Sequence, residues 1–322
     1  MIKLKYFDQT VVDTHLKKLS DHAKKRLGDL ISKKLDAATL THVPPADLND
    51  LVVYFRSKVK DIVVAKPAEL REFITATSLK LGWLEIILAK DAEDRDDWEK
   101  DIVSGLQWVF DYGAFSRWKH PKWGAYELVE KYNLRICAYC HTSHLNFHFH
   151  SEKDMRPPLD HFYPRSRYPY LGTSLYNLIP SCYQCNSTIK GDHDPLAKAL
   201  THPFEIGNKS VQFRMRLAGG ERLPRNPVKM TAKQIEIEVT GIGACRTSVK
   251  FFILPQRYQW YKREIAEVYS RVLSYRDLGG TLENLAGVKR LVYGFREEEA
   301  QDYALGICIK DIADSLILSY SP

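Results

Sequence analysis

Four of the six cysteines fall in two C-x-x-C pairs, Cys137 with Cys140 and Cys182 with Cys185. A tetrahedral ion such as Zn2+ takes four soft or borderline donors, and one C-x-x-C turn sets two thiolates at a geometry that reaches a single ion. Two such turns close the shell, so Cys137, Cys140, Cys182 and Cys185 are expected to hold a structural Zn2+. Cys140 and Cys182 stand about 42 residues apart, more than a simple zinc ribbon uses, which points to a functional insert between the turns. Cys245 and Cys308 stand alone and read as small buried hydrophobes.

The insert carries Pro158-Leu159-Asp160-His161-Phe162-Tyr163-Pro164, then Asn177-Leu178-Ile179-Pro180-Ser181, and it runs into Cys185-Asn186 and Lys190-Gly191-Asp192. Asp160-His161, flanked by apolar residues and closed by Pro164, reads as a short strand presenting two polar groups at its end. Ser181 is placed to cap a helix from Cys182 to about Lys190, on which Asn186 and Lys190 share a face at i and i+4. An imidazole such as that of His161 changes its protonation near physiological pH.

In this order the elements resemble the HNH endonucleases, of the ββα-metal fold, in the subclass with a four-cysteine zinc knuckle. Their pattern of C-x-x-C, D-H-x-x-P, N-L, C-x-x-C-N and a downstream Lys is met from Cys137 to Asp192. The resemblance implies that His161 is the base, that Asp160 and Asn186 hold the catalytic Mg2+ or Mn2+, and that Asn177 hydrogen-bonds backbone to keep His161 in place. It also implies hydrolysis of DNA phosphodiester bonds to 5'-phosphate and 3'-hydroxyl ends. The final letter of the HNH pattern is here Asn186 instead of His, which favours a hard ion. Lys190, Arg165 and Arg167 lie close enough in sequence to meet phosphates.

The strings C-A-Y-C, D-H-F-Y-P-R-S-R-Y-P and N-L-I-P-S-C-Y-Q-C-N-S-T-I-K-G-D are similar to the HNH subunits of bacterial anti-phage defence systems of the Septu and related retron type. That resemblance, with the helix around Arg257-Tyr258 in the tail, implies a nuclease effector subunit working with a protein partner such as an ATPase. Two other functions use the same residues. A zinc-stabilised nucleic-acid-binding module without catalysis has no need of His161. A stand-alone restriction or homing-type HNH nuclease needs its own sequence reader, and no helix-turn-helix, finger array or basic arm supplies one.

The surrounding elements divide the chain into a helical region over 1–130, the HNH module with its four-cysteine zinc site over 131–205, and a region of short strands then helices over 206–322. The fold class expected is α+β: mostly helical flanks around a central ββα-metal module. Apolar residues at three and four spacing predict a helix over Val11–Leu40, broken at Pro44-Pro45, and further helices over Ala46–Lys60 and Pro67–Ala89. The acidic run Asp91–Asp101 reads as a surface turn or helix start, and the aromatic stretch Leu106–Tyr132 as core under short helices. Period-two alternation predicts strands over Val211–Leu217 and Gln234–Thr240. Helices follow over Gln256–Leu273, Leu282–Tyr293 and Glu297–Leu318.

His141, His144, His148 and His150 invite a second metal site, yet the apolar alternation of Leu145, Phe147 and Phe149 favours a strand or loop extension. Lys and Arg number 47 against 40 Asp and Glu, a net +7 that fits polyanion binding. With 322 residues, 44% of them hydrophobic, the chain has enough to bury a core and is no small disulfide scaffold. No apolar run approaches a membrane span and Met1–Thr10 lacks a signal core, so no membrane partner and a cytoplasmic location are expected.

Overall fold

The computed structural model describes residues 1–118, 121–148, 155–224, 228–277 and 285–320. Eight helices precede the candidate site: α1 (Gln9–Asp29), α2 (Ala37–His42), α3 (Pro45–Val64), α4 (Pro67–Lys80), α5 (Gly82–Ala89), α6 (Asp97–Val109), α7 (Tyr112–Arg117) and α8 (Ala125–Tyr132). Their starts follow the side chains that satisfy the free N–H groups of a first turn. Asp8 accepts from the Val11 N–H at 3.0 Å and Asp36 from that of Thr39 at 2.6 Å. Glu69 and Glu99 reach back to the Lys66 and Asp96 N–H groups.

The single helix expected over Val11–Leu40 is two helices joined by a π-helical turn, Leu30–Lys34, where the Leu35 N–H bonds the Leu30 carbonyl. Likewise Pro67–Ala89 breaks at Leu81, between Lys80 and Gly82. The acidic run opens α6.

A hairpin-like pair follows, with β1 (Leu159–His161) antiparallel to β2 (Leu178–Pro180) and Asp160 opposite Ile179. A π-helical turn, Gln184–Lys190, comes next. This turn begins after Tyr183, two residues beyond the expected start, so Ser181 does not cap it; the buried Ser181 hydroxyl has no hydrogen-bond partner.

The second sheet pairs β3 (Val211–Leu217) with β4 (Ile235–Gly241), antiparallel, with Phe213 opposite Val239. Their alternation buries Val211, Phe213 and Met215 with Ile235, Ile237 and Val239 on one face. The remaining helices are α9 (Cys245–Phe251), α10 (Leu254–Tyr258), α11 (Lys262–Asp277), α12 (Leu285–Tyr293) and α13 (Gly306–Tyr320). Among the described residues the architecture is α+β, with two small antiparallel sheets among many helices.

One cluster of buried apolar residues runs through the molecule, from Leu19 and Phe55 through Leu171 to Ile265 and Ile312. No strand forms over the His144–His148 stretch, where only isolated bridges occur, Ile136 with His144 and His148 with Met155. Phe149 and His150 lie outside the described residues. Among the described residues, no helix is long and apolar enough to cross a membrane.

Candidate metal centre and cleft

The Cys137–Cys140 turn leaves α8 through Asn133, whose left-handed backbone ends the helix. Cys182 follows β2 after one residue, Ser181, and Cys185 sits on the π-helical turn. All four thiols are buried and their sulfurs lie within 4.8 Å of one another. A tetrahedral Zn2+ with bonds of about 2.3 Å spaces its sulfurs about 3.8 Å apart. The Cys140 and Cys182 sulfurs are separated by 3.9 Å. Donors already point at the sulfurs: the Cys182 N–H at Cys137 Sγ, 3.3 Å, and the Thr142 hydroxyl at Cys140 Sγ, 3.2 Å. Burial pushes the Cys137 thiol well up, a penalty that a bound divalent ion reverses by stabilising thiolate. The donor set and spacing therefore fit a metal ion and are compatible with structural zinc.

A cleft of about 280 Å³ opens beside this cluster, bordered by Gln107, Asp160, His161, Arg165, Asn186 and Asp192. His161 ends β1 and its Nε2 lies 2.9 Å from the Gly172 carbonyl. A carbonyl only accepts, so Nε2 carries the hydrogen and Nδ1 keeps a lone pair. Burial, reinforced by the Arg165 charge, lowers the His161 pKa to about 3, so the ring is neutral at physiological pH. The ring of Tyr112 packs edge-on at 4.4 Å between centroids, and the Arg165 guanidinium lies 5.2 Å from the Tyr112 centroid.

Asp160 is only 2% exposed, and both carboxylate oxygens are held. The Lys190 ammonium donates to Oδ1 at 3.1 Å, and the Tyr139 hydroxyl donates to Oδ2 at 2.5 Å. Burial pushes the Asp160 carboxyl up while the Lys190 ammonium and Tyr139 hydroxyl pull it back. Asn186 is half-buried and borders the same cleft. Asp160, His161, Asn186 and Arg165 thus meet at one opening. Among the described residues, His, Cys, Asp and Glu side chains converge in a group of three or more only at the four cysteines.

Asn177 does not border the cleft. Its Oδ1 accepts from the Tyr163 N–H at 2.7 Å, and its Nδ2 donates to the Tyr163 and Leu171 carbonyls, both at 3.1 Å. Those bonds clasp the two chain segments that present His161 and Gly172.

Two basic residues are placed differently from their expected phosphate-facing positions. Lys190 is 0% exposed, its ammonium spent on Asp160 and on the His161 carbonyl at 2.7 Å, because a buried carboxylate needs a counter-charge. Arg167 is drawn toward α5, where it pairs with Glu85. The histidines after the first knuckle form no second metal cluster among the described residues. His141 instead is buried, with Nε2 3.2 Å from the Gln301 carbonyl.

Sequence reasoning missed Gln107, Tyr112, Tyr139, Gly172 and Asp192. Tyr112 lies in the aromatic stretch read as core, of which Phe110, Phe115 and Trp123 are buried while Trp108, Tyr112, Trp118 and Tyr132 pack half-buried against the core. A signal for Tyr139 is its place inside the first C-x-x-C pair, between Cys137 and Cys140. Comparison of the chain with protein-family models, with curated proteins and with solved structures finds no match in any of the three.

Proposed function

We propose that this chain is a metal-dependent endonuclease of HNH type, hydrolysing DNA phosphodiester bonds, with Zn2+ as its structural ion and Mg2+ or Mn2+ as its catalytic ion. The single observation that carries the reading is the meeting of His161, Asp160 and Asn186 at one cleft, on an antiparallel strand pair followed by a helical turn.

His161 fits the base: Nε2 is anchored on Gly172 and Nδ1 retains its lone pair to take the proton of a water attacking phosphorus. The negative charge of a bound phosphodiester opposes the depression of its pKa. Arg165 at the rim supplies a cation for a non-bridging phosphate oxygen. Asp160 and Asn186 offer hard oxygens; each Asp160 oxygen has one hydrogen-bond partner and keeps a second lone pair. Mg2+ bound there supplies charge stabilisation at the leaving 3'-oxygen.

A phosphate-reading nuclease carries no sequence information of its own and needs restraint. The helical flanks fit a nuclease subunit of a bacterial anti-phage defence complex, gated by a partner such as an ATPase. A second reading, a nucleic-acid-binding module without catalysis, draws on the commitment of both Asp160 oxygens inside the protein.

Plasmid cleavage with and without Mg2+, comparing wild type with His161→Ala, separates the two. Metal-dependent nicking that falls by about 10²- to 10⁴-fold in His161→Ala is expected for a lost general base. Equal nicking by both proteins, or DNA binding with no cleavage by wild type in complex with its partner, overturns the nuclease reading.

A further inference from the structure

Four thiolates around Zn2+ leave a net charge of two minus, and this centre is buried throughout. A buried charge persists only when paired or hydrogen-bonded. The Cys182 N–H and Thr142 hydroxyl are neutral donors to the sulfurs. A full positive charge comes from outside the module. Arg257, 72 residues beyond Cys185, brings Nη1 to 3.2 Å from Cys185 Sγ. Its guanidinium is also fixed by the Phe252 carbonyl at 3.4 Å.

The contact has local support on both sides. Ile253 takes a left-handed backbone, φ 47°, which turns the chain between α9 and α10 toward the cysteines. Tyr258, next to Arg257, donates its hydroxyl to the Cys140 carbonyl at 2.8 Å. Phe252 stacks on Tyr139 with centroids 4.6 Å apart. Residues 252–258 therefore touch both knuckles, and the charged contact falls on a sulfur.

We infer that Arg257 is an outer-sphere residue of the metal centre: it neutralises the thiolate cluster through Cys185, and it makes the docking of residues 252–258 depend on a filled site. This rests on reading the cysteines as a zinc site and not on the nuclease reading. The direction is reciprocal, because a contact that tightens metal binding is itself strengthened by the metal. Outer-sphere partners of metal ligands commonly govern affinity by about 10- to 100-fold.

The test uses the intact chain. Zinc retention is measured by competition with a chromophoric chelator for wild type, Arg257→Met and Arg257→Lys. Arg257→Met is expected to bind zinc about 10- to 100-fold more weakly. Arg257→Lys keeps the charge but loses the planar fork, so it is expected to fall between the two. Should Arg257→Met fail to fold, Arg257→Lys against wild type carries the comparison, with weaker retention expected. Removal of zinc from wild type is expected to speed amide exchange at 254–258. Wild-type affinity in the variants, or exchange at 254–258 unchanged by zinc removal, overturns the inference. Folded wild-type protein with no zinc overturns the zinc reading itself and this inference with it.

Discussion

The hydroxyl of Tyr139 donates to Oδ2 of Asp160, tying the residue between Cys137 and Cys140 to the carboxylate of the cleft. Tyr139 is fully buried, and its ring is clamped by Phe252, so the hydroxyl has one place to go. The four-cysteine cluster and the cleft are in this way linked by a direct hydrogen bond.

Tyr139→Phe keeps the ring and removes that bond. Asp160 Oδ2 is left buried without its donor, a loss of about 1.5–3 kcal/mol for a bond to a charged group. Zinc content is expected to stay at the wild-type level, while Mn2+ binding to the cleft, followed by electron paramagnetic resonance, weakens. Unchanged Mn2+ binding and unchanged denaturant midpoint would show that the bond has no consequence.

Gly172 sets the carbonyl that anchors His161. A methyl group there would lie 2.7 Å from the Phe110 carbonyl, so Gly172→Ala must push the loop away from α6. On the nuclease reading, cleavage is expected to drop while zinc content holds, because the displaced loop carries the Gly172 carbonyl away from His161 Nε2. Cleavage at the wild-type rate, with the variant folded, argues against a role of the Gly172 contact in orienting His161 for catalysis.

Lys190→Met tests the buried ion pair. Removing one partner leaves an uncompensated carboxylate and is expected to destabilise the fold by about 3–5 kcal/mol. Replacing both, as Asp160→Asn with Lys190→Met, is expected to cost less than the single change. Urea unfolding of wild type and these two variants checks this. A lysine that served only as a surface phosphate contact would lower DNA affinity and leave the unfolding midpoint in place.

Stability should fall in mild acid. His15 is buried, its Nε2 2.8 Å from the Thr173 carbonyl and its Nδ1 accepting from the Trp123 indole N–H at 3.0 Å. Both nitrogens are committed to the neutral ring, and burial lowers its pKa from 6.5 to about 4. The unfolded chain takes up this proton first, so the stabilisation is complete above about pH 6.5 and is lost as pH falls toward 4. The slope reaches at most about 1.4 kcal/mol per pH unit for this residue. Urea midpoints at pH 7.5, 6 and 5 are expected to decline less steeply in His15→Gln; parallel slopes count against the assignment.

The spacing of Cys137, Cys140, Cys182 and Cys185 determined by itself that four thiols could meet, since each pair is fixed by one local turn. Strands β3 and β4 were legible in the same way, through an alternation that depends only on which face is buried. The paired residues Asp160-His161 stood out because their neighbours are apolar. What those side chains touch was not legible. Lys190 reads as a basic residue at a helix end, and only the burial of Asp160 turns it inward. Gln107 reaches the cleft from α6 and Tyr112 reaches His161 from α7, about fifty residues away along the chain, as the packing of those helices against the segment after β1 dictates. Arg257 and Cys185 are brought together by the turn at Ile253 and by the stacking of Phe252 on Tyr139. Local turns and periodicity are encoded by neighbours in sequence, whereas counter-charges for buried groups come from whichever segment the core brings alongside.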